Sequence, residues 1–290
     1  MLYQISPIIQ SLNPSLMPTV LVTTDFSAAS GHGLDYACML LKDSGVQLDL
    51  LHIFSVPVTY TADGIALVAI GDAIERTEDL LDEELQRAKS SCPDIKIAAR
   101  VITGSFLDML RQETARLRPL FIVLSTSGYA DLFPGDPDPL NALRSLNAPV
   151  LFVPHDAEIR PIRKMAYACN YAYVGPRTPI REIIELVDFI GAELQVIHAD
   201  PNPRGTDEKQ TSGQQWLEVQ LGTPQPEFHW IEDSDVLHGI TSFVNSHDID
   251  CLVVVPRKYG IWESLFHQSR TKALARLNKV PVLAFHERED

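Results

Sequence analysis

The sequence predicts an α/β fold in which a five-stranded parallel sheet lies between layers of helices, and it predicts two copies of this fold. Two observations lead to the prediction. Strand-like and helix-like stretches alternate from Thr19 onward, and the strand-like stretches are apolar on both faces, which is typical of a parallel sheet covered on both sides. The same order of stretches then returns in the second half of the chain.

Each element of the first half follows from its pattern. Apolar residues at helical spacing, as in Ile74, Leu81, Leu85 and Ala88, indicate helices, and Pro119 stops the third one. The predicted strands are TVLVTTDFS, VQLDLLHIFSV, IKIAARVITGS, LFIVLSTSG and APVLFVP, and the helices between them are SGHGLDYACMLLKDSG, DAIERTEDLLDEELQRAKSS and FLDMLRQETARLRP. A last helix, PLNALRSL, is predicted to begin at Pro139, because proline is tolerated in the first turn.

The second half matches the first in order and in register. Its strands are KMAYACNY, ELQVIHADP, DCLVVVPRKYG and KVPVLAFH, and its helices are TPIREIIELVDFIGA and DVLHGITSFVNSHDI. Gly128 and Gly260 are 132 positions apart, and so are Pro149 and Pro281. Self-similarity at this length predicts two domains, at residues 17–156 and 161–288, with the boundary in the charged segment around Pro161.

Composition excludes several classes of partner. The formal net charge of −14 argues against binding to nucleic acid or to an anionic membrane surface. The four cysteines are scattered without a CxxC pair, residues 1–16 carry no basic residue, and no apolar run approaches the length of a membrane span. These features favour a cytoplasmic protein with reduced thiols.

The stretch VLVTTDFSAAS and the order of strands and helices resemble the universal stress protein family, here as a tandem pair. The stretch HQSRTKALA resembles tandem members from Bacteroidetes-like bacteria. The resemblance implies a Rossmann-like sheet of the adenine nucleotide alpha hydrolase-like type. Some members bind ATP, and these carry an Asp after the first strand and, after the fourth, the pattern G-x-x-G, nine residues, then G-[ST]. The glycines let phosphates approach the backbone closely, and the hydroxyl and the N–H groups of a helix N-terminus donate hydrogen bonds to the phosphates.

The first half holds only part of that pattern. Asp25 and Gly128 match it, but Ser125 stands at the first glycine and Asp136-Pro137 at the Gly-Ser pair. Pro137 has no N–H to donate to a phosphate, and Asp136 places negative charge where the polyphosphate would lie. We therefore expect the first half not to bind a nucleoside triphosphate.

The second half departs from the pattern in other places. Asn170 replaces the Asp and Arg257 replaces the first glycine. The second glycine is kept as Gly260, and Gln268-Ser269 stands at the Gly-Ser pair. If a small anionic ligand binds, we expect it in this half, because two cations and two hydroxyl residues stand here against two aspartates in the first half, and ATP binding there is left open. The residues implied for it are Asn170, Arg257, Lys258, Gly260, Ser269 and Thr271.

Each of these residues also has a structural explanation. Asp25 serves equally well as a ribose acceptor or as a helix cap. For Arg257 and Lys258 the alternative to an anion site is a solvated loop, which is the more common setting, and for Ser269 and Thr271 it is a cap of the last helix. His52 and His198 recur at the end of the second strand of each half, where a histidine is more often structural than a ligand. The sequence suggests no catalytic residue, and the acids between His229 and His238 favour helix caps over a metal site.

These observations predict a non-enzymatic protein of the stress response, a regulator or a sensor of a small ligand. The alternative is an adenine-nucleotide-binding protein that uses its second half, with slow hydrolysis. A third interpretation is a purely structural interaction module. We also expect the two halves to pack through their last strands, Pro149–Pro154 and Pro281–His286, because an exposed apolar edge strand is normally covered. The chain would then form an intramolecular pseudo-dimer, with a homodimer of chains left open.

Overall fold

A computed structural model describes residues 17–55, 65–126, 139–200, 208–222, 226–256 and 279–288. The strands are β1 Thr19–Thr23, β2 Gln47–Phe54, β3 Ile97–Thr103, β4 Ile122–Thr126, β5 Val150–Pro154, β6 Lys164–Cys169, β7 Glu193–Asp200, β8 Glu227–Glu232, β9 Cys251–Val254 and β10 Val282–Ala284. The helices are α1 Ala28–Leu41, α2 Ile65–Ser91, α3 Phe106–Leu117, α4 Pro139–Arg144, α5 Ile180–Ile190, α6 Glu208–Leu221 and α7 Val236–Ser246, with a 3₁₀ turn at Tyr171–Tyr173.

The predicted fold class is confirmed: the protein is an α/β fold with a mostly parallel sheet flanked by helices. In the described residues all ten strands form one sheet, in the order β3-β2-β1-β4-β5-β10-β9-β6-β7-β8. When the strands are numbered within each half, the order across the sheet is 3-2-1-4-5 in the first half and the mirror order 5-4-1-2-3 in the second. The sequence repeat is therefore also a repeat of topology.

The predicted contact between the two last strands is confirmed as well. β5 and β10 pair antiparallel, with Val282 opposite Phe152 and Ala284 opposite Val150, whereas every other neighbouring pair in the described sheet is parallel. This pairing removes one exposed edge from each half. Because the strands of the second half run antiparallel to those of the first, the carboxyl ends of the two sets of strands lie at opposite ends of the strand direction, on opposite sides of the sheet.

The core consists of two apolar layers, one on each face of the sheet. Successive residues of a strand point to opposite faces, so that Val20 and Val22 enter one layer and Leu21 the other. The first layer contains the buried faces of α1, α2, α5 and α6, and the second those of α3, α4 and α7. Both layers continue across the β5–β10 junction, since each includes residues of both strands.

Three elements differ from the sequence prediction. α2 begins at Ile65 rather than at Asp72, because the apolar run before Asp72 is helical too. α6 and β8 were not predicted at all. The sequence of α6 is rich in Gln, Ser and Thr, and β8 is an end strand with a half-exposed face, so neither shows the strong apolar period that marks the other elements.

Helix α5 packs an apolar stripe on the first layer. Ile180, Ile183, Leu186 and Val187 are buried, and Ile184 is half-buried against the same layer. Across the described ranges, no helix combines the length and the apolar character that crossing a bilayer requires.

Candidate functional site

The candidate sites lie where the parallel strands end. In an open α/β sheet, ligands bind beyond the carboxyl ends of the strands, where the connections leave neighbouring strands in opposite directions. In the first half this position falls between β1 and β4, and in the second between β6 and β9. Asp25 follows β1 by two residues, and Asn170 follows β6 directly.

Asp25 is exposed and organises the turn that leads into α1. Its carboxylate oxygen Oδ1 accepts a hydrogen bond from the N–H of Ser27 at 3.0 Å. Ser27 is in turn the N-cap of α1, and its hydroxyl oxygen accepts from the N–H of Ser30 at 3.2 Å. Partial burial raises the pKa of Asp25, but hydrogen bonds from Ser27 and Ser30 outweigh it, so that the pKa is lowered overall. Asp25 thus carries a negative charge at this strand end.

The residues around Asp25 are held by a compact polar network. Phe26 has a left-handed backbone, with φ of 64°, and its ring stacks on that of His52 at a centroid distance of 4.4 Å. The Nδ1 of His52 donates to the carbonyl oxygen of Thr24 at 2.8 Å. The hydroxyl of Thr24 donates to Oε2 of Glu84 at 2.7 Å, which ties the end of β1 to α2.

Ser125, at the first glycine position of the ATP-binding pattern, points toward α1. A Cβ at Gly33 of α1 would overlap the hydroxyl oxygen of Ser125, so the helix packs this close to β4 only because residue 33 is glycine. The hydroxyl oxygen is buried without a hydrogen-bond partner in the described residues. Ser125 therefore serves the contact between strand and helix in this structure.

The second half repeats the arrangement with different bonds. Asn170 Oδ1 accepts from the N–H of Ala172 at 3.0 Å and caps the 3₁₀ turn. Tyr171, which corresponds to Phe26, is fully buried and stacks on His198 at a centroid distance of 4.2 Å, with Trp230 edge-on to both rings. The N–H of Tyr171 donates to Nδ1 of His198 at 3.1 Å. Burial raises the pKa of Tyr171.

Helix α6 covers this turn at close range. A Cβ at Gly213 would overlap the carbonyl oxygen of Tyr171, so the helix reaches the backbone of the 3₁₀ turn only through a glycine. The space beside Tyr171 is thus filled by the chain itself. On the first half, by contrast, the N-terminal end of α1 faces a groove, described below.

Residues 17–134 match the model of the universal stress protein family. The structure of a universal stress protein from Archaeoglobus fulgidus is similar to 94% of this chain and 97% of its own, with 18% sequence identity and a TM-score of 0.66. That of a functionally unknown protein from Pseudomonas aeruginosa is similar over 93% of both chains, with 15% identity and a TM-score of 0.52. Likenesses at this identity show the fold. No curated protein matches the sequence.

Most of the predicted site residues lie outside the described residues. The first half contributes Asp25, which is described, and Gly128, which is not. In the second half only Asn170 is described. Asp25 and Asn170 lie on opposite edges of the sheet, so they belong to two separate sites. The residues that lie outside the described ranges are Gly128, Asp136, Pro137, Arg257, Lys258, Gly260, Ser269 and Thr271.

The structure brings one further cation, which the sequence pattern does not indicate, to the end of the second half's strands. Arg144, at the end of α4 in the first half, reaches across the β5–β10 junction and donates from Nη2 to the carbonyl oxygen of Pro256 at 3.2 Å. Pro256 directly precedes Arg257 and Lys258. The predicted pairing of the last strands was the one signal that could have placed Arg144 there.

The acidic residues and histidines near α7 cap the helix or bond to one another. Asp235 caps α7 by accepting from the N–H groups of Leu237 and His238, and Asp233 pairs with Nδ1 of His238 at 2.6 Å. The hydrogen bond to Asp233 raises the pKa of His238. In the described part of the chain, no group of three or more His, Cys, Asp or Glu side chains is placed to hold a metal ion.

The first half also contains an open groove between α1 and α2, which we call the α1–α2 groove. Its volume is about 700 Å³. Arg87 crosses it to pair with Asp35 at 2.7 Å, and Glu84 lies at its inner wall, bonded to Thr24. The residues that line the groove are Phe26, Ser27, Ala28, Gly31, His32, Asp35, Leu80, Glu83, Glu84 and Arg87.

Proposed function

We propose that this chain is a tandem universal stress protein with a non-enzymatic role in the stress response, as a regulator or as a sensor of a small ligand. The family match to residues 17–134 and the repeat of the same strand order in the second half support the tandem. One observation carries the non-enzymatic role. At both strand ends the residues that would meet a nucleotide are engaged in their own turns: Asp25 with Ser27, and Asn170 with Ala172.

A cytoplasmic location is part of this proposal. All four cysteines are free thiols, which is typical of proteins in a reducing compartment. The net charge of −14 supports a role without nucleic acid or an anionic membrane as partner. The internal β5–β10 pairing supplies the contact that two separate domains would otherwise form, and a homodimer of the whole chain stays a prediction.

Binding of a small anion or an adenine nucleotide by the second half is the second candidate. Arg144 favours it, because its guanidinium lies at Pro256, immediately before the two basic residues Arg257 and Lys258. Guanidinium groups are the usual partners of phosphates. In this candidate function Arg144 of the first half is part of the binding site of the second half, so binding requires both halves in one chain.

The experiment measures turnover and binding on the full chain. We expect no hydrolysis of Mg-ATP above the protein-free rate. If calorimetry detects ATP or inorganic phosphate binding, Arg144→Gln should weaken it about tenfold or more, since a charged hydrogen bond contributes about 1.5–3 kcal/mol. Arg181→Gln, which removes an exposed cation on α5, is the control and should leave the affinity unchanged. Steady hydrolysis that is abolished by Asp25→Asn would contradict the non-enzymatic role.

A further inference from the structure

Two of the free cysteines meet where helices α1 and α2 come together. Cys38 lies on the buried face of α1 and is 2% exposed. Cys92 follows the last residue of α2, is partly buried, and packs against the same apolar layer. The other two cysteines, Cys169 and Cys251, are buried in the second half.

The packing of the two helices brings these thiols into register. α1 and α2 follow neighbouring parallel strands and cover the same face of the sheet, so they run side by side in the same direction. Arg87 of α2 pairs with Asp35 of α1 at 2.7 Å. Cys38 lies one turn beyond Asp35, and Cys92 lies one turn beyond Ala88, which neighbours Arg87 and is fully buried in the same layer as Cys38. Burial, and then the hydrogen bond with the Cys92 thiol, raise the pKa of Cys38.

We propose that Cys38 and Cys92 form a disulfide when the protein meets a peroxide. This inference goes beyond the proposed function, since it needs no bound ligand at either strand end. The loop that the bond closes runs through β2 and the whole of α2. Because the pair lies inside one half, the reaction requires no second chain.

The chemistry proceeds in two balanced steps. The sulfur of Cys92, which is the more exposed, attacks one oxygen of hydrogen peroxide, so that a sulfenic acid forms and water leaves. The sulfur of Cys38 then attacks that of Cys92, the S–S bond forms, and a second water leaves with the proton of the Cys38 thiol. Two electrons pass from the thiols to the peroxide. The raised pKa of Cys38 makes the second step the slow one, because the thiolate is the attacking form.

The bond would act on the α1–α2 groove. A disulfide holds its sulfurs about 2 Å apart and its Cα atoms about 5.5–6 Å apart. It therefore fixes the end of α2 against α1, one turn beyond the Asp35–Arg87 pair that crosses the groove. Oxidation would hold the two walls of the groove in one arrangement, and reduction would release them.

The test uses the reduced full chain treated with hydrogen peroxide. After the remaining thiols are alkylated, the protein is digested without reduction and analysed by mass spectrometry. We expect a linked pair of peptides that contain Cys38 and Cys92 and are two hydrogens lighter than their sum, with loss of two of the four thiols per chain. Dithiothreitol should restore both thiols, and the oxidised chain should melt several degrees higher.

Two variants complete the test. Cys92→Ala should abolish the linked peptide, while Cys169→Ala, the control, should leave it. Circular dichroism checks that both variants are folded, and the position of Cys92 after the helix makes its removal easy to tolerate. The proposal is overturned if Cys38 is still alkylated after oxidation while Cys92 becomes a sulfinic acid or links two chains, or if the peroxide consumes no thiol.

Discussion

Two histidines at the same position of the repeat make opposite hydrogen bonds. His52 Nδ1 donates to the carbonyl oxygen of Thr24, whereas His198 Nδ1 accepts from the N–H of Tyr171. Both rings stack on the aromatic residue that follows the first strand of their half, Phe26 or Tyr171. The duplicated chain thus keeps the stacked pair and changes the protonated nitrogen, because the backbone of the turn presents a carbonyl in one half and an N–H in the other.

A third histidine, His286, makes stability depend on pH. Its Nε2 donates to the carbonyl oxygen of Ala148 at 2.7 Å across the junction of the halves. Burial, helped by the charge of Arg144, lowers the pKa of His286 below its ordinary value of 6.5. Between pH 6.5 and the lower pKa of the folded state, His286 binds a proton in the unfolded chain but not in the folded chain. The free energy of unfolding therefore falls as the pH falls from 6.5 toward the lower pKa of the folded state.

We expect His286→Gln to weaken this pH dependence, because an amide can donate the same hydrogen bond but does not titrate. The measurement is urea unfolding at about pH 7.5 and about pH 5. His155→Gln, at an exposed position, is the control and should lose as much stability on acidification as the native chain. An equal loss in His286→Gln would show that another group titrates instead.

For these single residues, the sequence could predict the place in the fold but not the hydrogen-bond partner. Asp25, Asn170, His52 and His198 all follow apolar runs, so their place at strand ends was predictable. For Asp25, a hydrogen bond from the N–H two residues later was one of two open alternatives, because a turn and a ligand use the same oxygen. The corresponding bond of Asn170 was not predicted. Arg144 was missed because its partner is 112 positions away and in the other half.

At the scale of elements, α6 shows how a helix with a weak apolar face can still pack. Its buried residues are Gln210, Gly213 and Leu217, so Leu217 is its one large apolar side chain that is fully buried, and Trp216 and Leu221 pack half-buried against the same layer. The missing side chain at Gly213 compensates, because it lets the helix backbone approach Tyr171. The period of apolar residues did not predict this helix, since only a few apolar residues carry its packing and part of that packing depends on the absence of a side chain at Gly213.

Gly213→Ala should therefore destabilise the protein although alanine favours helices. We expect the free energy of unfolding to fall by about 1–3 kcal/mol, because the added methyl group overlaps the carbonyl oxygen of Tyr171. The matched control is Gly71→Ala on α2, where a Cβ meets nothing, and which should stabilise by about 0.5–1 kcal/mol. Chemical denaturation measures both variants. If both changed stability by the same amount and sign, α6 would not pack against the turn as described.

At the scale of the whole molecule, ten described strands form a single sheet in which two halves of equal strand order are joined antiparallel. The repeat in the sequence was enough to predict both halves and their junction, because each last strand is apolar and would otherwise be an exposed edge. The junction has a functional consequence. It sets the two strand ends on opposite edges and brings Arg144 of one half to the strand end of the other.

Strands β5 and β10 join the halves into one sheet, and amide hydrogen exchange of the full chain measures whether both are paired on each side. Each of these strands has a neighbour on both sides, so we expect peptides covering Val150–Pro154 and Val282–Ala284 to exchange as slowly as those of β1 in the sheet interior. β8, at the end of the sheet, is the internal standard for a half-paired strand. Exchange of β5 and β10 as fast as that of β8 would contradict the account, because about half of their amides would then face solvent.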